Sequence, residues 1–290
     1  MGRNDFLKKI QMIEYRVEGL GEKFDYHSHL EYEIYFFHSG ICRYLINNQI
    51  YDLQAGDILI MDGTALHKPN VNPNTTYVRS VVHFSPELIK GVLQEMGAMY
   101  LLDTFKKLNH HLIRPNNNNE IVRLGGFLYR LSTLNWAPEL NDVQVETEKK
   151  VLLLEILNSV HKLGEVDAIK LPKEKTDKTV HAENIAAFIK TNYMHKITLE
   201  WIGRELSLSK SYVSHVFKEM TGFTIMEYVM GCRLTQIKYL LEMEPNKGLK
   251  DIALECGFES LSHFSRYFHE KVGVTAGEYR RIRQKIYSGN

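Results

Sequence analysis

His27, His29 and Glu33 stand at alternate positions in the stretch GEKFDYHSHLEYEIYFFHSG, which runs from Gly21 to Gly40. In an unbroken β-strand successive side chains point to opposite faces, so positions 27, 29, 31 and 33 share one side and Leu30, Tyr32, Ile34 and Phe36 the other. A polar row and an apolar row result. If the polar row faces the interior of a barrel, its three donors meet a fourth, His67 on a neighbouring strand, a set suited to a divalent transition metal such as zinc, iron, manganese or nickel. The same row can instead hydrogen-bond an organic ligand without any metal, with Arg43, Tyr44, Arg79 and His83 as further pocket candidates. A third reading is a satisfied polar network with no ligand.

Short strands must position these donors. From about Phe24 to Phe84 the chain is rich in β-branched and aromatic residues, broken by turn signals at HSG, INNQ, QAGD, MDGT and NPNTT, which predicts a meander. After FSPELI the period becomes helical, and an amphipathic helix is expected around Val145 to Leu163, with Val151, Leu154, Ile156 or Leu157, and Val160 or Leu163 on its apolar stripe. That stripe suits subunit pairing or a cover for the strands. The polar run EVDAIKLPKEKTDKTVHAEN then reads as a solvated connector. Expected boundaries are therefore 1–163 for a sensing and dimerisation domain, 164–181 for a linker and 182–290 for a helical domain. The fold class expected is α+β.

Bulk numbers agree with folded, soluble material: 44% hydrophobic and 24% charged residues over 290 positions. No stretch reads as a signal peptide or approaches the roughly 20 apolar residues of a spanning helix, which points to a cytoplasmic protein. Cys42, Cys232 and Cys256 lie far apart, without the CxxC spacing of a thiolate zinc site, and are expected to be buried apolar side chains. Net charge is +1 overall, too small to identify or exclude nucleic-acid binding, because local patches rather than totals supply phosphate contacts.

The helical part repeats itself. At a shift of 50, Leu199, Ile202, Glu205 and Leu208 fall on Leu249, Ile252, Glu255 and Phe258. At a shift of 51, Tyr212, Ser214, Phe217, Gly222, Thr224, Glu227 and Tyr228 fall on His263, Ser265, Phe268, Gly273, Thr275, Glu278 and Tyr279. So many ordered matches, with one slip in a turn, mark duplication of a supersecondary unit. Each copy, about 198–222 and 249–273, predicts a helix, a short turn, and a second helix opened by a Ser cap and closed by Gly: a helix-turn-helix. In copy one, Ser211, Ser214, His215 and Lys218 share an outer face beside Lys210, while Val213, Val216, Phe217 and Met220 form the apolar stripe. In copy two, Ser262, Ser265, Arg266 and His269 face outward, and His263, Phe264, Tyr267 and Phe268 inward. Small hydroxyl residues let a helix approach closely, and Arg266 is suited to a bidentate contact with guanine. The alternative is an ordinary solvated face. The helix between the copies, TIMEYVMGCRLTQIKYLLEM, would span about 30 Å, close to the ~34 Å between successive major-groove segments on one face of DNA.

These motifs resemble the AraC/XylS transcriptional regulators. The resemblance rests on Ile252, Ala253, Gly257 and Phe258, then Phe264, Arg266 and Phe268, then Gly273, Thr275, Glu278, Tyr279 and Arg280, and extends to copy one and Arg233. Departures are Ala276, His263 and His215, where the family often has Pro, Tyr and Arg. Gly21, His27, His29, Glu33 and Gly40 likewise resemble the first motif of the cupin superfamily. Its second motif is partial: Gly56 and His67 are in place, but Asp62 and Thr64 stand for Pro and Gly, and the final Asn is displaced to Asn70 or Asn72. The resemblance implies a cupin-like sensor barrel ahead of two DNA-binding units, promoter DNA, a small-molecule effector and RNA polymerase as partners, and usually a homodimer, with activator the family label and activation versus repression left open by the sequence. A sugar is the family-average effector. The competing reading is a cupin-type dioxygenase or isomerase with a helical appendage. A third is a DNA-binding regulator whose barrel is vestigial and which a partner protein controls.

Overall fold

A computed structural model describes residues 10–19, 31–46, 48–62, 66–108, 111–116, 118–134, 140–169 and 175–287. His27, His29, Leu30 and Thr64 lie outside the described residues. The chain is of mixed α+β class.

The N-terminal part holds β1 (Ile10–Glu18), β2 (Tyr32–Ser39), β3 (Cys42–Ile46), β4 (Gln49–Asp52), β5 (Ile58–Met61), β6 (His67–Val71) and β7 (Val78–Phe84). Two short strands, β8 (Leu112–Ile113) and β9 (Ala168–Ile169), lie further along the chain. They form a six-stranded sheet in the order β1-β7-β2-β5-β8-β9 and a three-stranded sheet in the order β4-β3-β6, antiparallel throughout. Tyr35, Phe37 and Met61 of the larger sheet and Tyr44, Ile46 and Tyr51 of the smaller share one buried cluster, so the sheets face each other. Among the described residues no strand pairing joins the two into a closed ring. The arrangement is that of an open, cupin-like sandwich.

The far side of the larger sheet is also buried. Ile34, Phe36, Ile60, Val82 and Phe84 pack beneath α1 (Glu87–Glu95), α2 (Tyr100–Lys107), α3 (Asn118–Thr133) and α4 (Asp142–Asp167). A strand covered on both faces needs apolar residues at nearly every position, which is why β5 reads Ile-Leu-Ile-Met. Leu152, Leu153, Ile156, Leu157, Val160 and Leu163 of α4 lie in that same core. The apolar stripe expected to pair subunits is thus consumed in covering the sheet, and Val151, expected on it, is 47% exposed.

The expected connector is shorter than its composition suggested. Helix α4 continues to Asp167, and α5 (Asp177–Asn192) begins within the polar run. Thr176 caps α5 by accepting from the Thr179 backbone N–H, and Ala182, Ile185, Ala186 and Ile189 bury one face of it among the C-terminal helices. Beyond α5 come α6 (Leu199–Leu206), α7 (Lys210–Thr221), α8 (Ile225–Met243), α9 (Leu249–Glu255), α10 (Leu261–Val272) and α11 (Ala276–Tyr287). The duplication repeats in the caps. Ser209 and Ser260 open α7 and α10, and Gly222 and Gly273 close them at φ +74° and +79°, where a side chain would be strained. No described helix is long and apolar enough to cross a membrane.

Candidate functional site: a buried polar cluster and two exposed helices

Glu33 lies on the inner face of β2, and the β2–β7 register sets it directly opposite His83. His67 reaches it from β6, which belongs to the facing sheet rather than to a neighbouring strand as the sequence suggested. Glu33 Oε2 is 3.0 Å from His67 Nε2 and 3.0 Å from His83 Nε2. All three residues are buried. A buried carboxylate is costly unless it is compensated, and both imidazoles stand within ion-pair distance of the same oxygen. The Tyr44 ring stacks beside His67 at 6.3 Å, and burial, reinforced by the Glu33 charge, pushes its phenol well above the usual range. Deeper in the same interior, the Tyr35 and Tyr77 hydroxyls share a 2.6 Å hydrogen bond. Arg79 gives its guanidinium to Glu14 at 2.8 Å and to the Gly19 carbonyl at 2.7 Å.

Two of the four expected metal ligands, His27 and His29, lie outside the described residues. Among those described, no group of His, Cys, Asp and Glu is arranged to hold a metal ion, and the His67 and His83 nitrogens face the Glu33 carboxylate. Arg43 is a correction to the expected pocket. On β3 it alternates with Cys42 and Tyr44, which point inward, so it points outward, pairing with Asp52 at 3.1 Å and approaching Met220 Sδ at 3.5 Å. Cys42, Cys232 and Cys256 are buried, and desolvation pushes each thiol up to about 12.

The outward face of the smaller sheet is the one that meets the helices. Leu45, Ile50 and Leu66 enter the core formed by α5, α6, α7 and the first half of α8. Asn70 Nδ2 donates to the Glu219 carbonyl of α7 at 2.9 Å, and Lys68 lies 5.0 Å over the Phe223 ring. Glu183 of α5 accepts from the Ile50 backbone N–H at 2.8 Å and from Lys175 at 2.7 Å. Periodicity alone did not mark these contacts, since each lies on a polar strand edge or a helix in the supposed connector.

On α7, Ser211, Ser214, His215 and Lys218 are exposed together with Lys210, while Val213, Val216, Phe217 and Met220 are buried. Several are engaged locally: Lys210 pairs with Glu200, Lys218 Nζ donates to the Gly222 carbonyl at 2.9 Å, and His215 stands 3.4 Å from Glu219. On α10, Ser262, Ser265, Arg266 and His269 are exposed, and Phe264 and Phe268 are buried. His263 is not inward as expected; it is exposed, its ring 5.3 Å from Phe258, while Phe264 and Phe268 are buried and Tyr267 and Val272 pack against the same core. The repeated Thr and Glu also acquire a reason. Thr224 and Glu227 form a capping box on α8, and Thr275 with Glu278 makes the same reciprocal bonds before α11. Hydrogen bonds from Thr275 hold the Glu278 carboxyl below its usual range.

The chain matches two family models: an AraC-like ligand binding domain over residues 12–121, and a helix-turn-helix domain over residues 202–282. It is 24% identical over 268 residues to an uncharacterized HTH-type transcriptional regulator, YdiP, of Escherichia coli, covering 87% of this chain and 78% of that one. It is 24% identical to the melibiose operon regulatory protein of the same organism, covering 94% and 88% of the two chains. To the Msm operon regulatory protein of Streptococcus mutans it is 22% identical, covering 86% and 84%.

Proposed function

Since the chain belongs to the AraC/XylS family of transcriptional regulators, with a ligand-binding domain ahead of its helix-turn-helix domain and no enzymatic role, we propose that it switches a promoter in response to a sugar or sugar-derived metabolite. The observation that carries the reading is the pair of Ser-led helices, α7 and α10, each with one face buried and an outer face of hydroxyls and cations left to solvent. Small residues admit a helix to the major groove, and Arg266 offers a bidentate donor to guanine. The sugar is supported by the melibiose operon regulatory protein among the relatives and by the polar Glu33–His67–His83 cluster, whose carboxylate and imidazoles suit hydroxyl groups. His27, His29, Glu33, His67 and His83 are the effector residues in this reading, acting without a metal.

The reading also covers the partners. Residues 182–290 bind double-stranded promoter DNA in the cytoplasm and recruit RNA polymerase. Residues 1–163 bind the effector and join two chains. Pairing uses the side of α4 that carries Val143 and Val151, because its other side is filled. Effector occupancy acts through the smaller sheet on α5 and α7, since a ligand shifts an equilibrium only through differential affinity for its states. The test is a gel-shift of the full chain on DNA upstream of its own gene and neighbouring operons at low salt, with melibiose and other sugars added. Retention of one fragment over bulk competitor, altered by one sugar, is the expected result. Equal affinity for every fragment overturns the reading, and a sugar-independent shift overturns its effector half.

A further inference from the structure

The two helix-turn-helix units have separate cores, and α8 is divided between them. Tyr228, Val229 and Cys232 are buried with the first unit, and Leu234, Ile237 and Leu241 with the second. Arg233 stands at the changeover and is itself buried. Its Nε donates to the Tyr193 carbonyl at 2.8 Å and its Nη2 to the His195 carbonyl at 3.0 Å, both in the connection between α5 and α6 of the first unit. Its guanidinium also lies 5.7 Å over the ring of Phe258, in the turn between α9 and α10 of the second unit. Gly257 closes the joint. It sits at φ +81°, and a Cβ there would come within 2.6 Å of the Met194 carbonyl and 2.9 Å of Arg233 Nη2. Beside this joint the units are not flush: a cleft of about 470 Å³ opens between Met194 and Met226 on one side and Leu254, Phe258 and His263 on the other.

We propose that Arg233 is a positioning residue that sets the angle between the two units, and through it the spacing of the two DNA elements that one chain can engage. The inference rests on the DNA-binding reading above. A planar guanidinium with donors in a fixed fork can hold two carbonyls and a ring face in one arrangement, which an aliphatic side chain beside an open cleft cannot. A buried cation satisfied by carbonyls instead of a carboxylate brings little stability, so its value here lies in specifying geometry. Two linked modules bind their paired sites as one only while the joint matches the separation of the sites.

The test starts from a DNA site selected by the wild-type full chain from a random duplex pool. Derived duplexes carry the two elements at the selected spacing, at one or two base pairs more or less, or one element alone. Wild type should show a sharp optimum at the selected spacing. Arg233→Met should bind single elements within about twofold of wild type, lose about tenfold on the composite site, and flatten the spacing profile. Arg233→Lys, which keeps one donor group and the charge, should fall between, and it decides the matter by the same ratio if Arg233→Met does not fold. An unchanged spacing profile in the folded variant overturns the proposal, as does equal loss on single and composite sites. A wild-type chain that selects no DNA defeats the regulator reading itself, a distinguishable result.

Discussion

Glu33 and His67 meet across the gap between two sheets, Oε2 to Nε2 at 3.0 Å, although among the described residues no strand pairing joins β2 to β6. With His83 on the same oxygen, the carboxylate ties β2, β6 and β7 together from inside. Glu33→Ala should therefore remove the carboxylate against which His67 and His83 pack, leave a small buried gap between the sheets, and lower unfolding free energy by about 2 kcal/mol, read by urea denaturation. The same variant should still shift promoter DNA but lose its response to the sugar. Full stability and full response together would count against the cluster as the sensing element.

Glu183 is the point at which the smaller sheet is tied to α5. Removing its carboxylate strands the Ile50 N–H and the Lys175 ammonium at a largely buried contact, so Glu183→Ala should cost about 2–4 kcal/mol by chemical denaturation. DNA affinity without effector should change little, while the change on adding effector should shrink. An effector response of wild-type size in this variant would show that coupling takes another route.

Arg266 has no ion-pair partner among the described residues, unlike Lys210, which pairs with Glu200, and Lys218, which stands 3.8 Å from Glu227. Arg266→Ala should weaken specific binding by about 1–3 kcal/mol and relax base preference at one position, as read by competition among single-base variants of the selected site. His215→Ala should cost less, because a neutral imidazole offers one donor and this one already lies beside Glu219. Equal losses for the two variants would contradict the assignment of unequal roles.

His38 supplies a pH dependence. Arg16 Nη1, which can only donate, lies 3.2 Å from His38 Nδ1, so that nitrogen accepts, and Nε2 carries the proton toward Ser80 Oγ at 2.7 Å. Burial, with the Arg16 charge second, lowers this imidazole from 6.5 to about 4. The unfolded chain therefore takes up a proton before the folded chain does, and stability from this group is full above pH 6.5 and declines between 6.5 and about 4. His38→Gln should flatten that part of the stability curve in denaturant titrations at stepped pH. A curve of unchanged slope would remove His38 as the cause.

The features legible before folding were local ones. The helix-turn-helix copies announce themselves because Ser209, Ser260, Gly222 and Gly273 act on their own helices, within a few residues. The pairing of Glu33 with His83 depends on cross-strand register, which spacing along one strand does not contain, so the sequence alone does not bring the two together. Arg43 was misassigned by parity: one position away from Tyr44 on β3, it belongs to the opposite face. For α4 the apolar stripe was visible but its covering was not, since a sheet and a second subunit ask for the same pattern.

Leu45, Ile50 and Leu66 are strand residues, yet they complete the interior of the first helix-turn-helix unit. Reader and sensor thus share a piece of one core, and a cut between them at residue 175 would leave a greasy hole on the reader. The buried residues of the second unit, among those described, come from α8 to α11, so that cut leaves its interior filled. A change of sensor obliges the first reading head to be refitted with it, whereas a change in the second unit has to respect only α8 and the Arg233 joint.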